Sequence, residues 1–62
     1  MKNRLKEARF FANKGQWQLM LETGIHASTI SRIERGYINP NQEQKELLSK
    51  ALNKSIDWIF QD

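Results

Sequence analysis

The stretch Gln16–Asn41, QWQLMLETGIHASTISRIERGYINPN, decides how this chain is read. Its two glycines act as punctuation: the pattern predicts a helix from Gln16 to about Thr23, a turn at Gly24 with Ile25 plugging it, and a second helix over roughly Ala27–Arg35 that Gly36 stops. On the second helix Ile30 and Ile33 sit three apart and make one apolar edge. Ala27, Ser28, Ser31 and Arg32 are small or polar and fall on other faces. A short helix that presents hydroxyls and an arginine from a basic domain has what is needed to read base edges in a DNA groove.

Working outward, helices account for nearly all of the remaining sequence, five in total, and no useful β-type alternation appears. A first helix runs from about Lys2 to Ala12, with Leu5, Ala8 and Ala12 at core spacing and Asn13 as a left-handed cap. Gly15 stands before Gln16 as a permissible N-cap, and Leu19 points inward. After the loop Tyr37-Ile38-Asn39-Pro40, Asn41 with Gln44 three residues on forms a capping-box pattern. The helix it opens continues to Leu52 and buries Leu47, Leu48, Ala51 and Leu52. Ser55 caps a last short helix with a stripe of Ile56, Ile59 and Phe60.

With 62 residues the chain reads as one domain, residues 1–62, near the lower limit for folding alone. It has no cysteine, so neither disulfides nor a thiolate zinc site can staple it. Stability has to come from a helical core, helped by self-association. No apolar run approaches the roughly 20 residues of a membrane span and no signal-peptide pattern opens the chain, so a cytoplasmic location is expected. The net charge of +3 is unevenly spread. Residues 1–36 carry seven bases against three acids, and residues 37–62 three bases against four acids. The positive field travels with the reading half, which suits a polyanionic partner.

The whole length resembles the phage repressor/Cro, or xenobiotic-response-element, family of helix-turn-helix regulators. The segments that carry the resemblance are TGIHASTISRIERG (Thr23–Gly36), Asn39-Pro40 and ALNKSIDWIF (Ala51–Phe60). It implies an all-α, compact five-helix, lambda-repressor-like domain with the helix-turn-helix at helices 2–3 and operator DNA as partner of a homodimer. By the same resemblance Ala27, Ser28 and Arg32 take base-reading positions, with Thr29 and Ser31 adjoining them, and Gln16 takes a phosphate-contacting position. Tyr37, Ile38 and Asn39 follow the reading helix where the family grips the DNA backbone, so Tyr37 and Asn39 join the expected phosphate set. Arg9 and Glu34 match a partly buried ion pair between helices 1 and 3, one that an arginine fork can hold bidentately. As unrelated surface charges they would be worth little.

Several residues depart from the family pattern. Met20 stands where Ala is usual, Lys14 where an apolar residue is common, and His26 where Ser or Thr usually caps helix 3. His26 is expected to face phosphate; one histidine with no cysteine and no companion ligand does not make a metal site, and no cofactor is expected. Phe10, Phe11, Trp17 and Leu21 fall near positions that are often polar. Either Phe10 or Phe11 turns inward beside the small Ala8 and Ala12, or the four form an exposed patch, of the kind that marks protein contacts. The second reading is preferred. It supports a competing function as a protein-interaction module, such as an antitoxin or anti-repressor. No nucleophile, metal or phosphate-loop arrangement suggests an enzyme.

Overall fold

The computed structural model describes residues 3–60, and these form five helices: α1 (Leu5–Phe11), α2 (Gln16–Thr23), α3 (Ala27–Glu34), α4 (Gln42–Leu52) and α5 (Ile56–Ile59). No strand occurs among the described residues. Packing runs α1 on α3, α2 on α3 and α4, and α4 on α5. Every helix contributes to one core: Leu5 and Ala8, Leu19, Ile30 and Ile33, Leu48 and Leu52, and Ile59, with Ile25 from the α2–α3 turn. Each buried leucine or isoleucine contributes about 1.5–3 kcal/mol, so these few side chains supply most of the driving force in so short a chain.

The helix ends follow the chain's punctuation. Gly24 adopts φ 78° and donates its N–H to the Met20 carbonyl, a left-handed stop that leaves α3 free to turn back across α2. Gly36, at φ 79°, ends α3 with paired bonds from Gly36 N to Ile33 O and from Tyr37 N to Arg32 O. Asn13 (φ 59°) does the same for α1, as its sequence position predicts. The capping box at Asn41 is complete in both directions, and the Ser55 hydroxyl accepts from Trp58 N.

Several boundaries and burials differ from expectation. The first helix begins at Leu5 and stops at Phe11, with Ala12 as its cap; Lys2 lies outside the described residues. The reason is Asn3. Its Oδ1 accepts from Leu5 N at 3.0 Å while its Nδ2 donates to Ile33 O at 2.8 Å, and Arg4 N donates to Ile59 O at 2.7 Å. Asn3 and Arg4 are thus held between the ends of α3 and α5 in a non-helical conformation. Similarly, α3 ends at Glu34 with Arg35 as the cap. Leu47 is exposed, because Leu48 and Leu52 with Ala51 complete the inward stripe of α4 and leave Leu47 at its edge. Of the α5 stripe, Ile59 alone is buried, with Ile56 and Phe60 half-covered.

Candidate nucleic-acid interface

The buried edge of α3 is Ile30 and Ile33, both fully covered, which turns the remainder of the helix outward. Ser28, Arg32 and Arg35 are exposed, and Ala27, Thr29 and Ser31 are half-covered. The sequence-predicted reading residues therefore share one short helix, with Ser28 and Arg32 one turn apart. Arg32 and Arg35 make no ion pair or side-chain hydrogen bond among the described residues, so both guanidinium groups are free to meet a ligand.

His26 explains how α3 starts without the usual hydroxyl. Its Nδ1 accepts from Ser28 N at 3.1 Å and lies 2.9 Å from Ser28 Oγ. A ring nitrogen that accepts the Ser28 N–H carries no proton, so in the neutral ring Nε2 is the N–H donor. The ring is both a cap for the reading helix and a donor beside its N-terminus. His26→Ala is expected to cost about 1 kcal/mol by loss of this cap, and His26→Ser or His26→Asp to recover most of it. Thermal melts of the three variants check this; equal melting temperatures for His26→Ala and wild type would show that the cap contributes nothing.

Behind α3 a charged network fixes its angle. Arg9 grips Glu34 with both prongs, Nε to Oε2 at 2.6 Å and Nη2 to Oε1 at 3.2 Å, and its Nη1 donates to Lys14 O at 3.2 Å. Gln16 Nε2 donates to Glu34 Oε1 at 3.1 Å. The pair is largely enclosed, with the Arg9 and Glu34 side chains 16% and 7% exposed. It ties α1, the α2 N-terminus and the end of α3 into one unit. One N–H of the Gln16 amide is spent on Glu34, which leaves the second for an external oxygen. Tyr37 and Asn39 are both exposed on the loop after α3, Tyr37 being 71% accessible.

The unusual Lys14 also has a role that its position alone does not show. Its Nζ donates to Glu22 Oε1 at 2.7 Å and to Ala51 O at 2.8 Å, bridging α2 to the last turn of α4. The Lys14 ammonium, then the Gln18 amide, hold the Glu22 carboxyl below its ordinary value near 4.5. Met20, where a smaller residue is usual, is half-covered and packs against the core.

A helix-turn-helix family model matches residues 18–59, which take in α2 from its third residue, the Gly24 turn, α3 and both later helices. The chain belongs to the helix-turn-helix family. An uncharacterized HTH-type transcriptional regulator of Archaeoglobus fulgidus is 32% identical over 60 residues, covering 97% of this chain and 84% of that protein. The helix-turn-helix match thus contains all of α3 and its flanking turns, with Ala27, Ser28, Thr29, Ser31 and Arg32 inside it; Arg9 and Gln16 lie before it.

Proposed function

We propose that this helix-turn-helix protein is a small transcriptional regulator, repressor- or Cro-like, that binds double-stranded operator DNA in the cytoplasm as a homodimer. The observation that carries the reading is the outward face of α3, where Ser28 and Arg32 project from a helix whose opposite edge is locked into the core. Arg32 suits a bidentate contact to guanine, Ser28, Thr29 and Ser31 supply hydroxyls, and Ala27 offers apolar contact to a thymine methyl. Phosphates are met by Gln16, His26, Tyr37 and Asn39, with the α2 N-terminus adding its unpaired amides. With so few long polar readers, much of the preference comes from DNA shape.

A two-fold dimer presents two α3 helices to half-sites about one helical turn, roughly 34 Å, apart. Selection of bound duplexes from a random pool tests this. The expected product is a palindromic site with that spacing. Enrichment of no common sequence, with binding that only follows salt, would overturn the reading.

Gln16→Ala should weaken specific and nonspecific DNA about equally, because a phosphate contact positions without specifying. It should also lower stability by about 0.5–1.5 kcal/mol through the lost bond to Glu34. Binding isotherms on the selected duplex and on a scrambled one separate the outcomes; a loss confined to particular operator bases would give Gln16 a different role.

A further inference from the structure

Phe10, Phe11, Trp17 and Leu21 are all exposed. Among the described residues the rings that meet are Phe10 with Phe11, at 6.4 Å between centroids, and Phe11 with Trp58, at 6.1 Å. Trp17 stands on α2 with Leu21 one turn on and stacks on none of them. The aromatic face is therefore built by the end of α1, α5 and the turn before α5. None of these elements supplies a residue to the outward side of α3.

Two features of this face specify what it takes. The first is shape. Phe11 is the shared wall of two clefts, one of about 340 Å³ bordered by Lys6, Glu7 and Phe10, the other of about 290 Å³ bordered by Lys14, Leu52 and Lys54. Neighbouring large side chains of a single segment could occupy both. The second is charge. Lys54 Nζ lies 5.3 Å from the Phe11 ring centroid and 4.8 Å from that of Trp58, and the Arg4 guanidinium lies 5.2 Å from Trp58. These stacked cations are held at the rim of an apolar surface. Lys6 adds another, and Glu7 and Asp57 are the acids nearby in sequence.

We propose that this face docks an acidic protein segment, with aromatic or aliphatic side chains entering the clefts beside Phe11 and carboxylates meeting Lys6, Lys54 and Arg4. A second copy of the chain is the poorer occupant. An isologous contact buries this same face of both copies, so Arg4, Lys6 and Lys54 are brought in twice against fewer acids. Because α3 is not involved, the segment and DNA bind at the same time.

Panning a phage-displayed library of random peptides, each of about 12 residues, against the intact chain tests this. The expected survivors are net acidic and carry Phe, Trp or Leu. Synthetic copies should bind with at least tenfold weaker affinity to Phe10→Ser and to Lys54→Glu. Changing their carboxylates to amides should cost a similar factor. Phe10 is 80% exposed, so Phe10→Ser leaves the core intact, and a circular-dichroism melt verifies it. The same peptide should leave the protein's affinity for DNA within about twofold. Survivors with no acidic bias, survivors that bind both variants as well as wild type, or no enrichment at all would each overturn the proposal. So would a dimer that Phe10→Ser dissociates, which would give the face to a second copy instead. Failure of DNA binding with the peptide result intact would strike the proposed function alone.

Discussion

Replacing Glu34 with alanine is expected to be among the most damaging single changes outside the apolar core. The carboxylate takes two bonds from Arg9 and one from Gln16, with little of it reaching solvent. Without it the Arg9 guanidinium stays largely enclosed with the Lys14 carbonyl as its remaining partner. Stranding a buried charge costs about 3–5 kcal/mol, far more than a surface pair is worth. For a domain of this size that is a fall in melting temperature well beyond ~10 °C. The paired change Arg9→Met with Glu34→Leu should recover most of the loss, since it removes both charges and keeps volume. Urea unfolding of the three proteins checks the argument. A Glu34→Ala midpoint equal to wild type would mean that the two groups do not depend on each other.

Arg32→Ala should leave the fold unchanged and remove about 1–3 kcal/mol of specific DNA affinity, a factor of roughly 5 to 150. The side chain is exposed and makes no ion pair among the described residues, so its loss strands nothing inside the protein. Preference at one position per half-site should relax, while affinity for unrelated duplex falls much less. Competition binding at fixed salt, using the selected site and its single-base variants, measures both effects. An unchanged affinity and an unchanged base preference would remove Arg32 from the reading set.

The parts of the fold legible in the sequence are those set by local chemistry. Gly24, Gly36 and Asn13 mark helix ends because few residues tolerate positive φ, and the Asn41–Gln44 box is complete within four residues. Ile30 and Ile33 fix which side of α3 faces outward, so the placement of Ser28 and Arg32 follows from helical period alone. The Arg9–Glu34 pair follows from the family resemblance; with the two 25 positions apart, nothing local points to it.

What was not legible depends on distant partners. Asn3 bonds to a carbonyl 30 residues away, and that contact sets the start of α1. Lys14 reaches across 37 residues to Ala51 O, which a pattern of apolar and polar positions cannot anticipate. In the sequence Phe10, Phe11, Trp17 and Leu21 group by their neighbourhood in the chain. In three dimensions Phe11 meets Trp58 and Lys54 instead of Trp17, because α1 ends beside α5. The histidine cap lies in between: position marks His26 as a departure from the usual hydroxyl cap, but not that a ring nitrogen takes over the bond to Ser28 N.

The central claim is that the outward side of α3 meets DNA. Titrating isotopically labelled protein with the selected duplex and following its amide and side-chain NMR signals tests it most directly. The account predicts the largest shifts at Ser28, Ser31 and Arg32, with smaller ones at Gln16, His26, Tyr37 and Asn39, and signals of Phe10, Phe11 and Trp58 nearly still. Large shifts at the aromatic face with α3 unmoved would contradict it.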